Sequence, residues 1–387
     1  MQYTEERTEH TPDIRGTRRK SLDAAFFILV MLLLTIGVIM VLSSSFARAY
    51  YDPGGLTGGN AAYYFIRQLV FAILGTAVML FMSRLPMGFY KRFSIPVLIA
   101  AAVLLALVPL IGIKANGARR WIGVGGFTVQ PSEIAKLAVI LSFAYMICRN
   151  RGKMKSFKYG ILPFAAILIV IVGLLVLEPH FSASIIIVAI GAVMMFVGGA
   201  RLIWFIAAFL LAGGGIAVLL TMFPYASTRI VTWRDPFSST SDEGYQIVQS
   251  LYTIGSGGLT GLGLGQSRQK YLYLPEEHND FIFSVVCEEL GFIGAVFILV
   301  LFALLIIRGY YIAIHASDRY SFLVCVGITT LLALQVILNV SVVTNLIPCT
   351  GISLPFFSYG GTALLIQMAE MGIILSASRD IPAKKGG

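Results

Sequence analysis

Residues 271–280 read YLYLPEEHND, and the apolar run FIFSVV follows directly. Only 12% of the 387 residues are charged, yet four ionisable groups stand together here: Glu276, Glu277, His278 and Asp280. A carboxylate at this place can cap a helix N-terminus or take a proton from an attacking hydroxyl. Asp280, at the start of the apolar run, suits both roles. A cap accounts for one acid. It leaves Glu276, Glu277 and His278 without a role, and equally Glu288 and Glu289 about two turns further on. No recognised metal-ligand spacing is present, so a metal stays unassigned.

The second set of chemistry-bearing residues is basic. Lys114, Arg119, Arg120, Arg229, Arg234, Arg268 and Lys270 lie in two gaps between apolar runs, beside Trp121 and Trp233. Clustered Arg and Lys are the usual partners of phosphate oxygens, which points to an anionic ligand. In QPSEIAK, Pro131 fits the first turn of a helix, and Glu133 and Lys136 share a face. A lysine within a membrane helix pairs inward or lines a cavity, so a structural ion pair and a ligand contact are both open. The glycines of GSGGLTGLGLGQSRQK fit neither the dinucleotide nor the Walker A pattern; they suit tight turns and close backbone approach. PCTGISLPFFSYGG reads as helix-packing glycines or as irregular backbone lining a cavity.

The elements that must position these residues are membrane helices. Hydrophobic residues make up 57% of the chain, and about a quarter of an average soluble domain is charged. Apolar runs of about 20 residues recur, each long enough to span a bilayer. The reading is an all-α polytopic protein with ten spans, at 22–46, 62–83, 93–112, 131–148, 159–178, 181–199, 202–223, 281–307, 320–344 and 353–378. No small-residue cleavage site follows the first run, so it is read as a retained helix. Alternate gaps carry Arg15, Arg18, Arg19, Lys20, Arg84, Lys91, Arg92, Arg149, Arg151, Lys153, Lys155, Lys158, Arg201, Arg308, Arg319, Arg379, Lys384 and Lys385. The positive-inside rule makes that side cytoplasmic, with both termini there. Residues 1–21 and 379–387 are then cytoplasmic tails around a membrane domain at 22–378, and 224–280 is one large extracellular loop between helices 7 and 8. Within it GYQIVQSLYTIGSGG places Ile247, Leu251 and Ile254 on one face, as in an amphipathic helix on or re-entering the membrane. The four cysteines have no metal or redox spacing and read as small helix hydrophobes. The net charge of +10 fits an anionic membrane surface rather than nucleic acid.

NGARRWI, QPSEIAK, GYQIVQS, GSGGLTGLGLGQS, LPEEHNDFIF, EELG and TGISLPFFSYGG occur in this order on the ten spans. Together they resemble the SEDS family of bacterial cell-wall proteins, which includes FtsW, RodA and SpoVE, and GLGLGQSRQKYLYLPE looks closer to the FtsW and SpoVE branch. The resemblance implies a peptidoglycan glycosyltransferase of cell division or of septal or spore wall synthesis. It would polymerise lipid II, a disaccharide-pentapeptide on undecaprenyl pyrophosphate, at the outer face of the plasma membrane. A class B penicillin-binding protein and regulators of the divisome or elongasome are its implied partners. The family's His-Thr-Asp-Phe pattern falls on His278, Asn279, Asp280 and Phe281, which gives Asp280 the essential acid's role. The Arg-Arg-Trp pattern falls on Arg119, Arg120 and Trp121. The chain departs at Asn279 and, more seriously, at Glu178, Pro179 and His180, where the family has Gln-Pro-Asp.

Glycan polymerisation attacks an anomeric carbon with a hydroxyl and expels lipid pyrophosphate. A base is needed for the hydroxyl, and positive charge for the leaving anion. The expected inventory is Asp280 as base, with Arg119, Arg120, Trp121, Lys136, Arg229, Lys270, Glu276 and His278 toward pyrophosphate or glycan. Glu277 is expected to be a solvated bystander. No cofactor is required by the sequence, although a divalent cation, Mg2+ or Mn2+, fits the same task. The competing readings are a lipid II flippase, which needs polar groups through the membrane depth, and a non-catalytic divisome scaffold, which leaves the basic loops unexplained.

Overall fold

The structure, a computed structural model, describes residues 22–52, 54–115, 118–124, 127–208, 210, 232–238 and 242–381. Eleven helices are labelled here: α1 (Ala24–Tyr50), α2 (Tyr63–Met82), α3 (Met87–Ile111), α4 (Pro131–Arg149), α5 (Phe157–Gly160), α6 (Leu162–Leu177), α7 (Phe181–Val197), α8 (Asp242–Ser256), α9 (Ile282–Ile314), α10 (Arg319–Val343) and α11 (Gly361–Arg379). Among the described residues, eight helices are long and apolar enough to span a bilayer, with α5 and α6 counting as one; α7, at 17 residues, is a shorter apolar helix. Most of the expected span at 202–223 lies outside the described residues, so the count of ten stays an expectation.

Two corrections concern the gaps. The 113–129 segment is not all loop: β1 (Ile113–Ala115), β2 (Ala118–Val124) and β3 (Phe127–Val129) form an antiparallel sheet in that order. Its register pairs Lys114 with Arg119 and Ile122 with Val129. The last helix begins at Gly361, eight residues later than expected, because the backbone of 350–360 is held by side chains instead of a helical ladder. Leu354 N donates to Ser358 Oγ at 2.7 Å, and Phe356 N donates to Gln367 Oε1 at 3.0 Å.

The two sets of gaps that charge separates also separate in space. At one end Arg120 Nη2 donates to Pro179 O (2.6 Å), Thr362 Oγ1 to Thr128 O (2.8 Å), and Trp233 Nε1 to Asn345 O (3.1 Å). At the other, Arg308 pairs with Asp23 (2.8 Å) and Arg319 Nη2 donates to Gly198 O (3.1 Å).

α8 bears out the amphipathic reading, but it docks on protein: Ser250 Oγ bonds Ser284 Oγ of α9 (2.8 Å) and Val343 O of α10 (2.7 Å). The glycine-rich loop after α8 then clasps a break in α9 at Gly291, where φ is +69°. There the loop supplies the hydrogen bonds the helix forgoes. Leu262 N and Gly263 N donate to the carbonyls of Glu288 and Glu289, while Phe292 N and Ile293 N donate to Gly258 O and Leu259 O. A Cβ on Gly291 would lie 2.2 Å from Gly261 N. Gly291→Ala is therefore expected to destabilise the protein by about 1–3 kcal/mol through the left-handed backbone alone, with the clash in addition. Thermal unfolding in detergent checks this; an unchanged midpoint would mean that the clasp carries no stability.

Candidate active site

The 271–281 segment reaches α9 without a regular helix start. The N-cap position of α9 is Phe281, with no side-chain cap, so Asp280 is not the cap that sequence allowed. Its main chain is fixed from neighbouring elements. Asn339 Nδ2, on α10, donates both to Asp280 O (2.8 Å) and to Ile352 O (2.7 Å). Ser358 Oγ donates to Asn279 O (2.8 Å), and Tyr359 N to His278 O (2.9 Å). Residues 350–360 and 278–280 are thus stitched side by side. The half-buried Asp280 side chain meets no hydrogen-bond partner among the described residues and faces a cavity of about 550 Å3.

That cavity joins Asp280, Glu276 and Asn279 to Arg67 of α2, Arg120 and Trp121 of β2, Glu133 and Lys136 of α4, His180, and Glu370 of α11. Lys136 Nζ pairs with Glu133 Oε2 at 2.7 Å, so the expected ion pair exists and also lines the cavity. Burial pushes the Asp280 carboxyl up to about 6; Glu276 adds to the rise, while Arg120 and His278 oppose it. Glu276 adopts φ +54°, a sparsely populated conformation for a side-chain-bearing residue, and its Oε2 accepts from Asn279 Nδ2 at 2.6 Å.

Several expected ligands sit elsewhere. Arg120 reaches the cavity, while Arg119 is exposed and donates to Pro109 O at 3.0 Å. Lys270 is buried away from the cavity, with Nζ on Glu289 Oε1 (3.0 Å) and Gly265 O (2.7 Å). His278 lies beneath the segment, its ring 4.6 Å from that of Tyr64 and 5.8 Å from that of Tyr359. Glu277 is fully buried instead of solvated and takes a two-pronged bond from Arg48 at 2.7 and 2.9 Å. Burial alone would raise its carboxyl; His278 and Arg48 outweigh that and hold it below the usual range. Arg229 is outside the described residues.

The protein-family model described as "Cell cycle protein", covering FtsW, RodA and SpoVE, matches residues 23–382. The chain belongs to this family. Stage V sporulation protein E of Bacillus subtilis is 40% identical over 94% of this chain and 98% of its own. A probable peptidoglycan glycosyltransferase FtsW of Trichlorobacter lovleyi is 37% identical over 92% and 93%. Among solved structures, a chain of a peptidoglycan synthase complex superposes with a TM-score of 0.78 at 29% identity, covering 94% of this chain and 99% of that one. Thermus thermophilus RodA gives 0.68 at 26%, with the same coverage. The apolar helices and these relatives make the chain a multi-pass membrane protein.

Within this FtsW, RodA and SpoVE frame, the departure at 178–180 becomes concrete. His180 lines the cavity and Glu178 does not, so the displaced carboxylate does not face it. Both Glu178 oxygens are buried without a hydrogen-bond partner, and burial lifts that carboxyl to about 8 against the pull of Arg120. Burial, with Arg120 and Lys136 nearby, drops His180 to about 3; it offers the cavity a neutral imidazole. Sequence reasoning missed Arg67. It lies in a span, where charge marks function, and its guanidinium stacks over Tyr63 at 4.7 Å; charge inside an apolar run was the available signal.

Proposed function

We propose that the chain is a peptidoglycan glycosyltransferase that polymerises lipid II at the outer face of the plasma membrane. The observation that carries this reading is the Asp280 carboxylate: backbone-fixed, without a hydrogen-bond partner among the described residues, and opposite Arg67, Arg120 and Lys136 across one cavity. Asp280 takes the proton of the acceptor sugar's hydroxyl as its oxygen attacks the donor's anomeric carbon. The bond from that carbon to the lipid pyrophosphate breaks, and the pyrophosphate leaves with the electron pair. It departs as an anion and needs no general acid, unlike the leaving group of a glycosidase. Arg67, Arg120 and Lys136 meet the charge that develops on it. Trp121, Glu276 and His180 line the walls where the sugars would lie.

Among the described residues no three His, Cys, Asp or Glu side chains come together as a site for Mg2+ or Mn2+. The superposition on a chain of a peptidoglycan synthase complex supports a class B penicillin-binding protein as partner. α8 and the exposed Leu259, Leu262 and Leu264 suit polyprenyl tails.

The test is lipid II polymerisation by the purified protein with its cognate penicillin-binding protein, any glycosyltransferase of that partner's own being absent or disabled. Glycan strands are expected, with a rate that climbs as Asp280 deprotonates, half-maximal near pH 6, and levels above it, because a raised acid acts as base only above its own value. A half-maximal point near the ordinary 3.8 would remove the burial effect. No strands, together with lipid II transfer between liposome leaflets, would support the flippase instead.

A further inference from the structure

A second cavity, of about 350 Å3, opens at the opposite end of the molecule from Asp280, between the start of α3, the end of α4 and the start of α10. Its charged lining is Lys91, Arg151, Arg319 and Asp318. The acid is already engaged. Asp318 Oδ1 accepts from Tyr320 N (2.7 Å) and Ser321 N (3.0 Å), and Oδ2 accepts from Ser321 Oγ (2.9 Å), which makes it the N-cap of α10. Arg319 spends one guanidinium nitrogen on Gly198 O. Lys91 and Arg151 have no hydrogen-bond or ion-pair partner among the described residues. The base of the cavity is apolar and closed, with Met87 and Tyr320 buried and the Tyr320 hydroxyl bound to Ser94 Oγ at 2.9 Å. Three cations from three separate elements thus converge over an apolar base, and their one acid is engaged as a helix cap and pairs with none of them.

We propose that this cavity is a binding site for the phosphate headgroup of an anionic membrane phospholipid. Basic pockets between membrane helices at a helix end bind such headgroups. The depth and surroundings favour a lipid over a free anion. Lys91, Ile95 and Ile99 fall at four-residue steps on one face of α3, and Ile99 is 59% exposed. The cation sits at the helix end and an apolar track leads from it into the span, which matches a headgroup with its acyl chain. None of the three cations lines the Asp280 cavity, so the site is separate from the proposed reaction.

Cys148 lines this second cavity and is partly exposed, which makes it a reporter. Of the other cysteines, Cys287 and Cys325 are buried and Cys349 is partly exposed, so the full-length chain carries Cys349→Ser. The rate of maleimide attachment to Cys148 is measured in nanodiscs of phosphatidylcholine, with and without phosphatidylglycerol. Phosphatidylglycerol is expected to slow attachment about thirtyfold, the scale that two cations facing one headgroup give. Lys91→Gln with Arg151→Gln should abolish the slowing, and Lys91→Arg with Arg151→Lys should keep it, which separates charge from misfolding. Equal rates in both nanodiscs overturn the proposal, as does slowing that survives in the Gln pair. Inorganic phosphate in phosphatidylcholine nanodiscs should protect far less than the lipid. Equal protection by inorganic phosphate would overturn the lipid assignment.

Discussion

Asp280→Ala is expected to abolish glycan strand formation, with a fall of about 10^2 to 10^4 in rate, the range a positioned general base supplies. The geometry explains why no neighbour takes over. Glu133 is bound to Lys136, and Glu276 is turned onto Asn279 Nδ2. Glu370 belongs to α11 and is buried among transmembrane helices. Asp280→Asn keeps the shape and removes the base, so it should fail equally. Both variants should fold, because the segment is held through Asp280 O and its neighbours' main chain, not through the lost carboxyl. Strand yield is read on gels with labelled lipid II, alongside the unfolding midpoint. Normal yield from either variant would end the base assignment.

How far the sequence reaches differs by element. Long apolar runs and alternating basic gaps reveal the helices, since each helix satisfies its own backbone and is judged segment by segment. The ends of α9 and α11 escape that reasoning. α9 runs on to Ile314, and α11 starts late because Ser358 and Gln367 claim main-chain donors, a tertiary choice that hydropathy cannot register. The site divides along the same line. Asp280 was legible because an unneeded acid beside an apolar run stands out and a family pattern matches it. Which of two adjacent arginines faces the cavity depends on how the sheet over 113–129 sits on the helices, a tertiary arrangement that hydropathy does not register. Glu277 reads as a surface acid until Arg48, 229 positions away, is seen to bind it. Lys270 finds Glu289 only 19 positions on, but the pairing depends on how the glycine-rich loop folds back onto α9.

Lys270→Ala is expected to lower stability by about 3–5 kcal/mol, the scale for breaking a buried ion pair from one side. Lys270 and Glu289 are 2% and 1% exposed. The lysine ammonium also touches Ser43 Oγ at 3.2 Å, and that hydroxyl bonds both Glu289 oxygens at 2.6 and 2.7 Å. Ser267 N adds a further donor at 3.3 Å. The network ties α1, the glycine-rich loop and α9 together just below the break at Gly291. Removing the ammonium leaves the Glu289 carboxylate buried with neutral donors alone, and desolvation then dominates. Lys270→Met with Glu289→Gln removes both charges at similar volume, so it should recover much of the loss; replacing a buried pair as a unit is often near neutral. Thermal unfolding in detergent gives the midpoints, and polymerisation at saturating lipid II gives the activity of whatever fraction stays folded. A pyrophosphate ligand would behave the opposite way: an unchanged midpoint, a raised KM, and no rescue by the second substitution. That outcome would return Lys270 to the substrate site, whereas a lowered midpoint with rescue fixes it as the clamp that holds the loop carrying Asp280 against the helix it precedes.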